Sequence, residues 1–349
     1  MLISRRFSQF STRFFASSTM SSTTQIRRAD VDFLTNPPKK YVDQFMKAHG
    51  NDRTVFKEYD ISQWQHCFPD YKFKIMALKG TTRVIAVSHL CRLYPLKSTG
   101  NKPITFMGLG WIDPKYRCPN MGKLLNEICM EEVHSEEENI VSQINEPGRR
   151  FWHLLCGLKD HEDIGSRTAD VGYKSFYDAK EVMIPKDLNT KGIYLTNARD
   201  VPAKDIIEYD QTIHPYHREQ YIISHMYDRD GFGKVAYDEE GKVIGIGQAI
   251  IYNNKKDCNL GPIYADEPRV AQAMFNGILQ EIKDSGKFVS QFEVRSSQMA
   301  PNSFCWISPF LSCEPTRSHI CNLVYKHWIP QKIDHKKVYS PTHAQLFMI

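Results

Sequence analysis

The sequence predicts an α+β protein with two domains in tandem, each a mixed, mostly antiparallel twisted sheet flanked by helices. Three observations predict it. The 349 residues are too many for one compact domain and suit two. Two separate stretches read as an antiparallel meander whose last strand runs straight into a helix. Between them, residues 185–192 (PKDLNTKG) form a short polar break. Domains are expected over 38–185 and 192–349, behind a leader over 1–29.

Composition narrows the class. A hydrophobic fraction of 41% and a charged fraction of 24% are those of an ordinary globular protein. No run of about 18 apolar residues suits a membrane span, so none is expected. The net charge is +5, yet Arg5, Arg6, Arg13, Arg27 and Arg28 all precede Asp30, and no acid accompanies them. The rest of the chain is neutral, which gives no electrostatic reason to expect a nucleic-acid partner. The nine cysteines are scattered without a C-x-x-C pair and read as free thiols in a reducing compartment.

The leader is rich in Arg, Ser and Phe. Wound as a helix, it puts Ile3, Phe7, Phe10 and Phe14 on one stripe, with Arg6 and Arg13 along the flank. That is the make-up of a mitochondrial transit peptide, with cleavage expected after Phe15 and delivery to the matrix. A start at Met20 would instead leave the protein in the cytoplasm.

In the first domain residues 40–49 read as a short amphipathic helix. Residues 73–78 and 84–90 read as a hairpin turned at Gly80, and 104–112 as a third strand. That strand exits through Asp113-Pro114-Lys115-Tyr116-Arg117-Cys118-Pro119-Asn120 into a helix carrying Met121, Leu124, Leu125 and Ile128. A strand, a basic turn with small residues and a helix start together make a phosphate site. Free amides and the positive dipole end face the anion, and Gly122 lets the backbone approach. Residues 139–145 then read as a strand, and 149–158 as a helix ending at Gly157.

These segments resemble the GNAT (N-acetyltransferase) superfamily. Its fourth strand ends in a hydrophobic-x-P-x-Y-R run before an [RQ]-x-x-G-x-[GA] loop. Arg117 matches the first loop position, Gly122 the last, and Lys123 the basic residue that follows. Asn120 replaces the middle glycine, a residue tolerated in left-handed conformation. Asn145 matches an Asn that closes the next strand, and Phe151 and Gly157 match the following F-Y-x-x-x-G-F helix. Trp152 stands where the family has the Tyr that protonates departing CoA thiolate, and an indole N–H is not such an acid.

The second domain repeats the order. Residues 203–214 and 217–226 read as helices, 233–237 and 242–252 as a hairpin, and 258–265 as a strand. The strand leads through Asp266-Glu267-Pro268 into a helix with Val270, Ala271, Met274, Phe275, Ile278 and Ile282 along one side. This stretch resembles a GNAT subfamily domain usually found second of two. The resemblance rests on Gly261-Pro262-Ile263-Tyr264-Ala265-Asp266, Val243-Ile244-Gly245-Ile246-Gly247, and Tyr209-Asp210 with Arg218.

The resemblance implies an acyl-CoA-dependent N-acyltransferase, with acetyl-CoA or another acyl-CoA as substrate and a small-molecule or protein amine as acceptor. It implies CoA contacts at Trp111, Ile112, Arg117, Asn120, Met121, Gly122, Lys123 and Asn145, and along the second-domain strand at Ile263, Tyr264 and Ala265. The other reading is a degenerate GNAT pair acting as an acyl-CoA sensor or interaction module. No acid lies between Ile104 and Ile112, so a general base is not identified. Asp210, Asp257 and Glu293 are candidates. His214 and His217 lack a further ligand at clear spacing, and no metal is expected.

Overall fold

A computed structural model describes residues 26–50, 57, 59–133, 135–145, 148–149, 152–154, 157–159, 171–252, 257–315 and 317–342. Residues 1–25 of the expected leader, and Phe151, lie outside them. The first half contributes strands β1 (Val31–Thr35), β2 (Tyr71–Leu78), β3 (Val84–Leu93), β4 (Ile104–Ile112), β5 (Asn139–Asn145) and β6 (Val171–Asp178). Its helices are α1 (Lys39–Gly50), α2 (Asp60–Cys67) and α3 (Pro119–Met130). The second contributes β7 (Tyr194–Asn197), β8 (Gly231–Tyr237), β9 (Val243–Ile251), β10 (Asp257–Ala265), β11 (Gln291–Ser297), β12 (Arg317–Tyr325) and β13 (Val338–Ser340). Its helices are α4 (Ala203–Gln211), α5 (Glu219–Met226) and α6 (Pro268–Asp284).

The expected mixed sheet is present, but the two expected sheets are one. Among the described residues, strands run β1-β2-β3-β4-β5-β12-β6-β11-β10-β9-β8-β7, with β13 added to β10. The halves exchange strands at the seam. Strand β12, late in the chain, lies between β5 and β6, and β6 pairs in turn with β11. Hydrogen-bonding edges that separate domains would expose are thereby paired, which removes two sites of edge-to-edge association. Sequence periodicity does not report such pairing, because it fixes which face of a strand is apolar and not which strand lies beside it.

Each half contains the same unit, a parallel strand pair joined by a helix: β4-α3-β5 and β10-α6-β11. Among the described residues, every other ladder is antiparallel. Helices cover both faces. On β2, Phe73, Ile75 and Ala77 join a core shared by α1, α2, α4 and α5, whereas Met76 joins a core with Met121, Leu124, Leu125 and Ile128 of α3. On β10, Tyr264 joins the first core, while Ile263 and Ala265 pack with α6. This alternation is the period of two that a strand imposes. Val270, Ala271, Met274, Phe275 and Ile278 of α6 are fully buried. Burial of each larger side chain contributes about 1.5–3 kcal/mol.

Candidate acyl-CoA site

The parallel ladder between β4 and β5 runs from Ile104↔Asn139 to Phe106↔Val141 and ends there. Strand β4 continues to Ile112 along β3, and β5 continues to Asn145 along β12. The two strands therefore part beyond Phe106 and leave a gap along one edge of β4. Within that stretch β4 bulges, with its register shifting between Val87↔Trp111 and His89↔Gly108. Leu109 sits at φ +53°, rare for a residue with a side chain. Its burial in the core of α1 and α2 helps hold that conformation, as does the Ser88 hydroxyl, which donates to the Gly108 carbonyl at 3.0 Å. Trp111 is buried, edge-on to Phe45 at 5.6 Å.

Past Ile112 the chain makes one 3-10 turn over Pro114–Tyr116, closed by the Asp113 carboxylate accepting from the Lys115 amide at 2.9 Å. The Nε of Arg117 donates to the Ile112 carbonyl at 2.9 Å, which folds this exposed cation back over the strand end. Helix α3 then starts at Pro119. Cys118 stands at its N-cap without a side-chain cap bond. A helix start without a cap side chain, with a positive dipole end and a cation beside it, suits an anion.

Residues 120–123 differ from the expected loop. Asn120 lies inside α3 and not in left-handed backbone, and its Nδ2 donates to the Ile26 carbonyl at 2.9 Å. Pro119 sets the helical φ one residue before the glycine position, so the turn ends sooner than the family pattern suggests. Met121 is buried in the core beneath α3, Gly122 is buried with its amide bonded to the Cys118 carbonyl at 3.3 Å, and Lys123 is exposed.

Across the gap, Asn145 closes β5, and its Oδ1 accepts from the Gly148 amide at 3.0 Å. The ring of Trp152 lies against β4, 3.7 Å from where a Cβ on Gly110 would stand. Ile112 and Arg117 thus stand at the end of β4 before α3, Trp152 lies against β4 at Gly110, and Asn145 ends β5. Trp111 is instead buried in the core beside Phe45.

Ile263, Tyr264 and Ala265 are placed elsewhere. They are fully buried and pair with Gly247, Ile246 and Gly245 of β9. On the other edge, Ile263 and Tyr264 pair with Ser340 and Val338 of β13. The counterpart gap in the second half therefore holds the chain's own strand. Tyr209, Asp210 and Arg218 brace the same region. Arg218 pairs with both Asp210 carboxylate oxygens, and Tyr209 donates to Asp266 Oδ1 at 3.0 Å. His214 Nε2 lies 3.1 Å from the Tyr264 hydroxyl, and burial lowers its pKa well below the usual range. His217 pairs instead with Glu219 at 2.7 Å, so the two histidines do not converge. Of the candidate bases, Asp210 is held by Arg218 and Glu293 by Arg295, while Asp257 accepts from Gln291 at 2.7 Å.

One buried polar cluster has no sequence signal. A small cavity is lined by Lys57, Asp60, Trp64, Tyr221, His225 and Asp228 among others. Lys57 of the first half pairs with Asp228 of the second, both buried. Burial pushes Asp60 up to about 7 despite the opposing Lys57 amide bond and charge, and pushes His225 down to about 4. Partners 171 residues apart leave no local spacing to read.

Two family models match the sequence. A family model described as a protein of unknown function, DUF1248, matches residues 28–213, more than half of the chain. The chain belongs to the DUF1248 family. Within this DUF1248 protein, residues 206–294 also match a GNAT acetyltransferase domain model. No curated protein matches the sequence.

Among solved structures, a proposed acetyltransferase from Pyrococcus horikoshii aligns at TM-score 0.62 with 14% identity, covering 94% of this chain and all of its own. Saccharomyces cerevisiae N-myristoyltransferase with bound myristoyl-CoA aligns at TM-score 0.59 with 11% identity, over 94% of this chain and 87% of that one. A tandem GNAT protein from the clavulanic acid biosynthesis pathway aligns at 0.58 with 12% identity, over 84% and 98%. The DUF1248 chain has the GNAT fold, and these neighbours share that fold.

Proposed function

We propose that this protein is an acyl-CoA-dependent N-acyltransferase with its acyl-CoA in the β4–β5 gap of the first half. One observation carries the reading: β4 leaves β5 after Phe106, bulges at Leu109 and delivers the chain to the start of α3, where Arg117 waits. A strand edge offers donors and acceptors in register, so the amides of a pantetheine arm would add to β4 as an extra strand. The pyrophosphate would then meet the α3 start and Arg117, with Lys123 one turn along the helix.

Acyl transfer needs a donor for the oxyanion of the tetrahedral intermediate. A backbone amide at the β4 bulge near Leu109 is the donor we assign. The leaving thiolate needs little acid, since an ordinary thiol has a pKa of about 8.5. Trp152 is therefore compatible with turnover, and its ring would bound the thioester end of the gap. The acyl group is acetyl or longer.

Thiol release tests the reading, measured on protein beginning at Ser17 with a panel of acyl-CoAs and pooled amines. Release that depends on the amine supports it. Binding of acyl-CoA without release by any pair would point to a sensor. We further propose the mitochondrial matrix as the site of action, on the acid-free arginine-rich leader. A reporter fused to residues 1–29 should enter mitochondria, and diffuse cytosolic signal would contradict this.

A further inference from the structure

A second, small cavity opens at the seam where the halves exchange strands. It is lined among others by Gln143 of β5, Cys321 and Leu323 of β12, Gly172 and Lys174 of β6, and Arg295 of β11. Its position follows from register. Cys321 pairs with Asn145 on one side and with Gly172 on the other, and Lys174 pairs with Arg295. The cavity therefore begins at the strand that bounds the β4–β5 gap, beside Asn145. Leu323 belongs to the core beneath α1 and α2, so the cavity opens on that face. A Cβ at Gly172 would stand 3.0 Å from the Cys321 sulfur, so the two strands approach closely there.

The lining carries two cations, Lys174 and Arg295, among Gln143, Cys321, Leu323 and Pro341. Arg295 is only 4% exposed. Its Nε and Nη2 donate to Glu293 Oε1 at 3.0 and 2.7 Å, and its Nη1 donates to the Thr342 carbonyl at 2.6 Å. A guanidinium carries five N–H groups, so an N–H remains on each terminal nitrogen after these three bonds. Lys174 Nζ lies 3.7 Å from the same Glu293 oxygen. Two cations thus share the Glu293 carboxylate, and among the described residues that line the cavity there is no acid. A guanidinium and an ammonium in a partly enclosed site favour a ligand carboxylate, since charge-assisted bonds are the strong ones.

We infer that this cavity is the acceptor site and that it selects a small amine bearing a carboxylate, of the amino-acid class. The inference rests on the acyltransferase reading. The acceptor's carboxylate would lie against Lys174 and Arg295 and its amine toward the β4–β5 gap. The amine nitrogen bonds to the thioester carbonyl carbon, and the carbon–sulfur bond breaks. The acceptor ammonium gives up two protons, one to the departing thiolate and one to solvent, which leaves an amide and free CoA thiol.

The test compares thiol release from acetyl-CoA with pooled free amino acids and with the same amino acids as C-terminal amides. The free acids are expected to be preferred at least tenfold in kcat/KM. Lys174→Gln should abolish that preference through KM for the acids, and Lys174→Arg should restore it. Lys204→Gln, an exposed lysine on α4, serves as the surface control. Lys174 is about one-fifth exposed, so it tolerates exchange better than buried Arg295. Amides used as well as acids, or equal losses for both in Lys174→Gln, would overturn the inference. Calorimetry with acetyl-CoA alone separates the two readings. Binding without acid preference removes only the cavity assignment, whereas no binding removes the acyltransferase reading and the assignment with it.

Discussion

Val338 stands opposite Tyr264 in the short antiparallel ladder that adds β13 to β10. The second half thus fills, with its own C-terminal strand, the gap that the first half leaves beside β4. Its helix start is also acidic, with Lys337 paired to Asp266 at 2.8 Å and Arg269 to Glu267 at 2.9 Å. The two βαβ units therefore differ, with β10 flanked by β13 where β4 has left β5.

The closure depends on Gly261. A Cβ there would lie 2.2 Å from the Pro341 carbonyl oxygen, a backbone atom that cannot swing away. Gly261→Ala should therefore lift the segment after β13 and cost about 1–3 kcal/mol, in the range of other overpacking changes. Urea unfolding checks the loss. Acetyl-CoA affinity measured below the transition should stay within twofold.

Asn120→Gly should destabilise the protein. It removes the bond to the Ile26 carbonyl and places glycine in the first turn of α3. The expected loss is about 1–2 kcal/mol from the hydrogen bond and helix propensity together. Thermal unfolding would show it as a lowered Tm, and an unchanged or raised Tm would count against the helical placement of Asn120.

Much of this fold is legible in the sequence, and the reasons are local. Strand β4 over Ile104–Ile112 and strand β5 over Asn139–Asn145 have the bounds read from their apolar runs. The helix start near Asp266 and Pro268 is equally plain, because capping residues and proline act within one turn. The gap's mouth at Arg117 is legible for the same reason. Strands β6 and β12 are not, since what makes them strands is pairing across the seam with partners far along the chain. The cavities at Lys57 and at Arg295 share that origin. The closure of β10 by β13 is hidden too, because a three-residue strand carries no period.

Lys57 and Asp228 tie the halves together in a buried pair. Lys57→Met should leave Asp228 without its cation and cost about 3–5 kcal/mol, the range for breaking a buried pair. Lys57→Met combined with Asp228→Leu should recover part of that loss. A double-mutant cycle in urea checks both, and purely additive losses would contradict direct pairing.

Asp60 should make stability depend on pH. Its folded pKa is raised to about 7 from the ordinary 3.8, chiefly by burial, so the unfolded chain releases the proton first as pH rises. Its contribution to stability is therefore present below about pH 4 and falls away progressively up to about pH 7. Asp60→Asn keeps an acceptor for the Lys57 amide and removes the titration. The variant should lose less stability than the parent between pH 4 and pH 7, and parallel curves would show that Asp60 does not titrate there.

Calorimetric titration of acetyl-CoA into the intact chain, with and without Arg117→Ala, tests the first-half site most directly. Arg117 is the cation at the mouth of the open gap, and loss of a charge-assisted contact weakens binding by roughly 10- to 100-fold. One site per chain, weakened to that degree in the variant, is the expected result. Two sites of similar affinity, or a single site indifferent to Arg117, would contradict binding beside β4.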